Sequence, residues 1–339
     1  MTAAAVDLTV AYLGLSLRSP LIASASPLTG DVESARRLAG AGVGALVLPS
    51  LFEEEIEAEE IGLAAALEAG AEDSPEAHGF FPPIEGATVA DRYLANLERI
   101  KAAVDIPVIA SLNATSVGAW SRYAALAADA GADAVELNVY RVAANPYLAG
   151  TDVESADLEL IAEVCQASTV PVAVKLSPYY SAMADFTRQV IKAGAAGLVL
   201  FNRFMQNDID PDTLTVGSDL SLSSPVEAGL PRSWIARLRG RVPISLAATT
   251  GVESARDVAA YLLAGADVVM TTSSLLRHGA EHADDLLEGL QAWMQRKGFE
   301  SVEQVRGRLA TAAGVDPSEY GRPSYLTTIE EATRTYAPA

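Results

Sequence analysis

The sequence predicts an α/β fold, a (β/α)8 TIM barrel in which one strand-helix unit recurs eight times. Two observations indicate this class: eight short apolar runs, each followed by a longer amphipathic stretch, and a regular alternation of proline and glycine before those runs. Short apolar runs bounded by turn residues are typical of buried parallel strands. Amphipathic stretches are typical of the helices that cover such strands. The runs span residues 21–25, 45–48, 107–112, 134–138, 172–176, 197–201, 244–247 and 268–271.

Odd-numbered and even-numbered runs begin differently. Each odd-numbered run begins at or shortly after a proline, which is tolerated at the first residue of a strand although it lacks an N–H. Each even-numbered run follows an Ala-Gly pair, whose glycine supplies the left-handed residue that ends a helix. The intervals are 22, 24, 23 and 22 residues for Pro20 to Gly42, Pro107 to Gly131, Pro171 to Gly194 and Pro243 to Gly265. This regularity predicts four βαβ double units in one barrel.

The length of 339 residues suits a single barrel, because α/β barrels commonly exceed 250 residues as one unit. We expect one domain over residues 1–339, with the barrel at about 20–297 and a C-terminal helical extension at about 298–339. Extended connections follow strands 2, 4 and 6, over residues 50–106, 139–155 and 202–231. These lie at the carboxyl ends of the strands, where barrels carry functional groups. The glutamate-rich run 53–60 is interpreted as a solvated helical face.

The composition argues against several classes of protein. With 24 basic and 44 acidic residues the net charge is −20, so the surface should repel nucleic acids and anionic membranes. The sequence shows no signal-peptide pattern and no apolar stretch of membrane-spanning length, which predicts a cytoplasmic protein. Cys165 is the single cysteine and is interpreted as a core residue of a helix. No histidine lies at a strand end, so no metal site is expected.

Polar residues at the ends of strands 4 and 5 are the first candidates for chemistry. Glu136 and Asn138 lie two residues apart, so both point into the barrel. Lys175, at the end of strand 5, also points inward. Two interpretations stay open: a structural ion pair between Glu136 and Lys175, or a lysine that meets an anionic substrate or cofactor.

Strands 6, 7 and 8 end in further candidates. Asn202 presents an amide donor and acceptor that suit the imide edge of a flat heterocycle, with a loop-capping asparagine as the alternative, and Arg203 follows it. Gly251, Thr272 and Ser273 supply backbone donors and hydroxyls after strands 7 and 8. Barrels commonly bind phosphate between these two loops and a helix N-terminus.

These motifs follow the order found in a known family. The chain resembles the FMN-dependent dihydroorotate dehydrogenases, especially a bacterial subgroup of dihydroorotate dehydrogenase-like proteins, over nearly its whole length. The resemblance implies bound FMN and the oxidation of a CH–CH bond in dihydroorotate or a related small anionic substrate, as in pyrimidine biosynthesis. The motifs that carry it are SPLIASASPLT, VLPSLFEEEI, IPVIASLNATSVGAW, ADAVELNVY, VPVAVKLSPYY, GLVLFNRFMQNDID and GVESARDVAAYLLAGADVVMTTSSLLRHG.

The resemblance also implies roles for individual residues. Lys175 matches a lysine that stabilises negative charge on the reduced flavin, while hydride leaves the substrate and a base on the opposite face takes the proton. The implied cofactor-binding residues are Ser24, Ala25, Ser26, Ser50, Asn138, Lys175, Gly251, Thr272 and Ser273. The implied substrate-binding residues are Asn113, Asn138, Asn202 and Arg203.

The chain departs from the family pattern at four positions. Arg141 stands where the family has the proton-accepting Cys or Ser, and a guanidinium cannot accept a proton, so the neighbouring Tyr140 is the candidate substitute. Pro49 replaces a lysine. Thr250 and Thr272 replace glycines of the phosphate cradle, where added Cβ atoms restrict the approach of the backbone to phosphate and favour weaker FMN binding.

Three functions therefore stay open. The first is an FMN-dependent oxidoreductase with Lys175, Tyr140 and Arg141 as the catalytic set. The second is a Schiff-base lyase or aldolase with Lys175 as nucleophile. The third is a barrel that has lost its base and acts as a binding or assembly subunit. The expected partners are a small-molecule substrate and a second copy of the chain, for which the mostly polar tail at 316–339 offers a surface.

Overall fold

Eight parallel strands form a closed ring at the centre of the protein. The computed structural model describes residues 6–59, 61, 87–114, 120–139, 141–203, 207–218, 221–312, 314–319 and 321–336. The strands are β1 (Leu21–Ala23), β2 (Ala45–Phe52), β3 (Val108–Ala114), β4 (Ala134–Val139), β5 (Val172–Leu176), β6 (Gly197–Leu200), β7 (Ser245–Ala248) and β8 (Val268–Thr271). Each pairs in parallel with its chain neighbours, and β8 pairs with β1. The predicted TIM barrel is confirmed.

Helices cover the outside of this ring. In chain order they are α1 (Val32–Gly40), α2 (Val89–Ala103), α3 (Trp120–Asp129), α4 (Gly150–Ala167), α5 (Met183–Lys192), α6 (Gly229–Leu238), α7 (Ala255–Ala264) and α8 (His282–Lys297). Shorter turns of helix lie at Pro27–Gly30, 53–59, Pro225–Ala228 and Ser273–His278. Helix α5 buries Met183, Phe186 and Val190, the spacing of one helical face. Cys165 of α4 is half-buried against the core, and burial raises the pKa of its thiol to about 11.

Two hairpins and a C-terminal segment lie outside the ring. The strands Val10–Tyr12 and Leu15–Leu17 pair before β1, and Asn207–Asp210 pairs with Thr215–Ser218 after β6. Leu13, in the turn of the first hairpin, donates its N–H to Ser245 Oγ at 3.1 Å, at the start of β7. This hairpin therefore closes the amino-terminal end of the barrel and leaves the carboxyl end open. After α8 come Val302–Val305, Pro317–Glu319 and Arg322–Tyr336.

No helix in the described ranges is long and apolar enough to cross a membrane. The boundaries of a single domain over 1–339 stay a prediction.

The predicted proline-glycine repeat corresponds to a repeated pattern of hydrogen bonds. Each repeat glycine has a positive φ, and the next residue donates its N–H to the carbonyl five residues earlier, as in a Schellman motif. These bonds join Val43 to Leu38, Ala132 to Ala127, Ala195 to Val190 and Ala266 to Tyr261. Three of the repeat prolines accept a hydrogen bond at their carbonyl oxygen from a backbone N–H of the neighbouring strand. The N–H groups of Leu46, Val135 and Val269 donate to Pro107, Pro171 and Pro20, respectively. The prolines thus remain in the ladder as acceptors.

Two of the four units carry an aspartate two residues after the glycine. Asp267 Oδ2 accepts the N–H of Leu246 at 2.8 Å, and Oδ1 accepts from Arg239 and Arg306 at 2.9 and 2.8 Å. One buried carboxylate therefore joins the start of β7 to α6 and to the segment after α8.

We expect Asp267→Asn to lower the free energy of unfolding by about 3 kcal/mol, because the partly buried Arg239 loses its counter-charge and Arg306 keeps only the exposed Glu303 as a partner. Asp133 occupies the repeat-related position and is a matched control: it accepts from Val108 N–H and Lys101 Nζ, and its side chain is 26% exposed against 8% for Asp267. Asp133→Asn should cost about 1 kcal/mol. Urea unfolding followed by circular dichroism measures both, and equal losses would contradict this difference.

Candidate active site

Polar side chains at the carboxyl ends of β2, β3 and β4 form one hydrogen-bonded group. Ser50 Oγ lies 2.8 Å from Ser111 Oγ, and Asn138 Nδ2 donates to both hydroxyl oxygens at 3.1 and 3.2 Å. Tyr93 of α2 fixes Ser111, because its hydroxyl accepts the Ser111 N–H at 2.8 Å and donates to the Ser111 carbonyl at 3.1 Å. Asn113 lies opposite Asn138 in the strand register. The predicted Ser50 and Asn138 are thus brought together.

A β-bulge aims Ser50 into this group. Val47 pairs with Ile109 and Ser50 pairs with Ser111, so β2 advances three residues where β3 advances two. The extra residue lets Pro49 lie within a strand although it has no N–H, and β2 continues beyond its predicted end at residue 48. Without the bulge Pro49 would lie opposite Ser111, and Ser50 would face the other side of the sheet.

Glu136 and Lys175 form an ion pair inside the barrel. Lys175 Nζ lies 3.4 Å from Glu136 Oε1, and the two side chains are 13% and 1% exposed. Two buried acceptors, Glu136 Oε2 and Asn138 Oδ1, have no hydrogen-bond partner within the described chain. An unsatisfied buried acceptor costs about 1–3 kcal/mol. Both oxygens therefore favour a bound donor.

A cavity of about 170 Å³ opens at the carboxyl ends of β1 and β5 to β8. Its volume is below the ~300–1,000 Å³ of sites that enclose a drug-sized ligand, so it can enclose only part of a cofactor. The predicted site residues that line it are Ser24, Ala25, Lys175, Asn202, Arg203, Gly251, Thr272 and Ser273. The other lining residues are Phe201, Ser223, Thr249, Thr250, Val252, Met270 and Thr271.

Gly251 lies where the backbone packs closely against neighbouring backbone at the cavity wall. Its φ is +70°, and a Cβ atom there would lie 2.6 Å from the Ser224 carbonyl oxygen and 3.0 Å from Ala228 N. The Gly251 N–H donates to Ser223 Oγ at 3.3 Å, and this hydroxyl donates to Ser273 Oγ at 2.9 Å. Ser223 is not among the predicted site residues, because no motif in the connection after β6 marks it. Backbone and hydroxyl donors of three connections therefore converge beside Gly251.

Thr250 has a positive φ of the kind that glycine commonly adopts. Its φ is +81°, which is unfavourable for a β-branched residue. The Tyr261 hydroxyl contacts the carbonyl oxygens of Thr249 and Thr250 at 3.0 and 2.6 Å and holds this turn from α7. Arg232 lies over the Tyr261 ring at 5.0 Å. Tertiary contacts thus maintain a turn that threonine itself disfavours.

Arg141 lies in a different environment from Lys175. Its Nε donates to Asp157 Oδ1 at 3.0 Å, and the Tyr180 hydroxyl donates to Asp157 Oδ2 at 2.9 Å. Burial raises the pKa of Asp157 more than these two hydrogen bonds lower it. Arg141 lines a separate cavity of about 470 Å³ beside α4 and does not line the cavity at Gly251. Tyr140 lies outside the described residues.

Other predicted residues act partly as structural supports. Arg203 lines the cavity, but its guanidinium donates to Glu227 Oε1 at 2.8 Å and to Ser221 Oγ at 3.2 Å. Ser26 precedes the helical turn Pro27–Gly30, and the Thr29 hydroxyl holds its backbone by accepting the Ser26 N–H at 3.1 Å and donating to the Ser26 carbonyl at 2.9 Å. Ser26, Ser50, Asn113 and Asn138 do not line the 170 Å³ cavity. Within the described ranges, no group of three or more His, Cys, Asp or Glu side chains is arranged so that it could hold a metal ion.

Comparisons with known proteins show which family the chain is similar to. The family model "Dihydroorotate dehydrogenase" matches residues 7–294. A putative dihydroorotate dehydrogenase A (fumarate) of Aeropyrum pernix is 26% identical over 319 residues, covering 89% of this chain and 97% of that protein. The NAD-dependent dihydropyrimidine dehydrogenase subunit PreA of Escherichia coli K12 is 25% identical over 338 residues, covering 89% and 76%. The catalytic subunit of dihydroorotate dehydrogenase B (NAD(+)) of Halalkalibacterium halodurans is 33% identical over 187 residues, covering 53% and 60%.

Two substitutions in the turn at Thr250 should have opposite effects on stability. We expect Thr250→Gly to raise the free energy of unfolding by about 1 kcal/mol, because the strain it removes exceeds the chain entropy it adds. Gly251→Ala should lower it by about 3 kcal/mol, because it adds both strain and a clash with the Ser224 carbonyl.

Gly240→Ala is the matched control for this pair, since its φ is +76° and no atom lies within 4 Å of the added Cβ. Gly240→Ala should lower the free energy of unfolding by about 1 kcal/mol, because it adds the unfavourable backbone conformation without a clash. Urea unfolding measures all three variants. A loss for Gly251→Ala no larger than that for Gly240→Ala would contradict the close approach to Ser224.

Proposed function

The chain belongs to the dihydroorotate dehydrogenase family, and from this premise we propose that it is an FMN-dependent oxidoreductase that oxidises a CH–CH bond of dihydroorotate or a related small anionic substrate. One observation carries the proposal: the turn at Gly251, which leaves no room for a Cβ, lines the same cavity as Lys175, whose ion pair with Glu136 lies inside the barrel. A cavity wall with backbone and hydroxyl donors, beside a lysine ammonium that points into the barrel, suits an anionic cofactor with a reducible ring.

The described residues fit the two ends of FMN. At the phosphate end, Thr272 and Ser273 bring hydroxyl and N–H groups to the cavity, and the close packing of Gly251 on Ser224 and Ala228 shapes the cavity wall beside them. At the ring end, the unpartnered Asn138 Oδ1 suits the imide N–H of a flavin, and the Lys175 ammonium suits the negative charge that develops on reduction. We propose Ser24, Ala25, Ser26 and Ser50 as further contacts to the cofactor.

This chain's own residues would position the substrate and hold the charge. FMN, when bound, supplies a hydride acceptor. Lys175 keeps its position through the ion pair with Glu136, so its charge is already oriented before the substrate binds. Asn202, at the cavity wall, offers an amide donor and acceptor to a pyrimidine-like ring, and Asn113 and Arg203 are proposed to assist.

The proton acceptor differs from the family pattern. Arg141 occupies the expected position and pairs with Asp157, so we propose Tyr140 as the acceptor and assign Arg141 a role in positioning its loop. Relatives are named after dihydroorotate and after dihydropyrimidine, which share a saturated pyrimidine ring. We therefore propose a ring of this class as the substrate. The cytoplasmic location and the homodimer stay predictions.

A second candidate role is a binding or assembly subunit without oxidation activity. The pairing of Arg141 with Asp157 favours it, because a cation takes the place of a base. Two of the similar proteins are themselves named as subunits. This role predicts a folded barrel that does not oxidise either substrate.

We expect purified protein to bind FMN, quench its fluorescence, and bleach it when dihydroorotate or a dihydropyrimidine is added without oxygen. Lys175→Ala should slow bleaching by about 100-fold or more, because a cation at the developing charge is lost. Lys297→Ala is the control, since this lysine lies in the last turn of α8, distant in sequence from every site residue. Stopped-flow absorbance measures the rates.

Lys175→Ala leaves Glu136 buried without its partner, so the double variant Lys175→Met with Glu136→Gln is measured beside it. Absence of FMN binding would contradict the oxidoreductase proposal, and bleaching that is unchanged in both variants would contradict the proposed role of Lys175. FMN binding without bleaching by either substrate would favour the assembly subunit. Borohydride trapping of a carbonyl compound on Lys175 would indicate the lyase instead.

A further inference from the structure

An apolar groove lies on the outer surface between α5 and α6, away from the barrel mouth. It encloses about 580 Å³, and its apolar lining includes Ile191, Trp234 and Leu238. Cationic side chains border it, among them Lys192 and Arg241. The net charge of the chain is −20, so a groove bordered by several cationic side chains differs in charge from the average surface of this protein. A patch of this kind marks an interaction site.

The C-terminal segment is anchored at the edge of this groove. Arg237 Nε donates to the Pro317 carbonyl at 3.1 Å, and Arg241 Nη2 donates to the Val315 carbonyl at 2.6 Å. Asp316 and Pro317 themselves line the groove. The chain therefore leaves the barrel beside the groove and continues into the helix Arg322–Tyr336.

This C-terminal helix exposes an apolar stripe. Tyr325, Ile329, Ala332 and Tyr336 follow one another at helical spacing and lie on one face. Tyr325 is 65% exposed, Ile329 44% and Tyr336 83%, and every side chain that the structure describes in this helix is exposed. An amphipathic helix with its apolar face in water lacks the burial that stabilises such helices in proteins.

We propose that the C-terminal helix of one copy docks in the groove between α5 and α6 of a second copy, and that the exchange of both helices forms a two-fold symmetric dimer. The dimensions agree, since the stripe from Tyr325 to Tyr336 spans about 17 Å and the ten residues of α5 span about 15 Å. The exchange is reciprocal because the groove and the helix belong to the same chain, as an isologous interface requires.

The chemistry of the two surfaces also agrees. Tyrosine rings on the stripe suit a groove bordered by guanidinium and ammonium groups, since these cations lie favourably over aromatic faces. Arg237 already lies over the Trp234 ring at 5.8 Å in this groove. Burial of Ile329 would remove apolar surface from water on both partners. Neither surface contributes to the cavity at Gly251, so this inference stands apart from the proposed function.

Disulfide trapping in the full chain tests the contact directly. In a Cys165→Ser background, Lys192→Cys and Ile329→Cys are combined and oxidised. The expected product has twice the mass of the chain and is cleaved by reducing agent. A disulfide confined to one chain would show that the helix returns to its own groove and would overturn the proposal. So would the absence of any disulfide.

Sedimentation of full-length variants gives an independent measurement. Ile329→Glu should raise the dimer Kd at least about tenfold, because it places a charge in the apolar interface. Ile209→Glu is the matched control: Ile209 is 71% exposed on the hairpin after β6 and lies outside the groove, so its substitution should leave the dimer intact. Circular dichroism confirms that both variants fold. A monomeric parent chain, or a dimer unchanged by Ile329→Glu, overturns the proposal.

Discussion

The parallel register of β2 to β5 decides which polar side chains meet inside the barrel. Register places Ser111 opposite both Ser50 and Glu136, and Asn138 opposite Lys175. Because side chains alternate between the two faces of a strand, a shift of one residue in any of these pairs would turn a member of the group outward. The bulge at Pro49 supplies such a shift in β2 and brings Ser50 to the inner face. The hydrogen bonds of Asn138 and the ion pair of Lys175 both depend on this alignment.

Buried polar groups at the barrel mouth are a cost to the fold. Well-packed apolar residues commonly stabilise a protein as much as a buried ion pair of the same volume, or more. Here Glu136 Oε2 and Asn138 Oδ1 are buried without partners in the described chain, and Thr250 keeps a disfavoured φ. Departures of this kind from consistent packing concentrate at functional sites. Here they lie at the open end of the barrel, where barrels carry functional groups.

Arg141, in the loop after β4, and Lys175, at the end of β5, have different ion-pair partners. Arg141 joins Asp157 and Tyr180 in a buried cluster beside α4, so its charge serves the packing of that loop. Lys175 instead pairs with Glu136 and also lines the cavity. The two cations that the sequence assigns to one catalytic set therefore lie in two separate environments. A barrel tolerates this divergence because its loops vary while the strands keep their register.

The sequence by itself determined the ring of eight units, because proline and glycine act locally on the strand entry and the helix end, and the period of two turned Glu136, Asn138 and Lys175 inward. It also marked the turn at Gly251, since a glycine before a helix start is a local signal. Only the tertiary structure decided which face Ser50 occupies, that Tyr93 fixes Ser111, that Ser223 joins Ser273, and that Arg141 pairs with Asp157. The contacts of Tyr93 with Ser111 and of Ser223 with Ser273 join residues from separate strand-helix units, so their partners are set by the packing of those units in the barrel. The pair of Arg141 and Asp157 lies within one unit and depends on how the loop after β4 folds back on α4. The position of Ser50 depends on one inserted residue that changes the register, and a pattern of neighbouring residues specifies none of these arrangements.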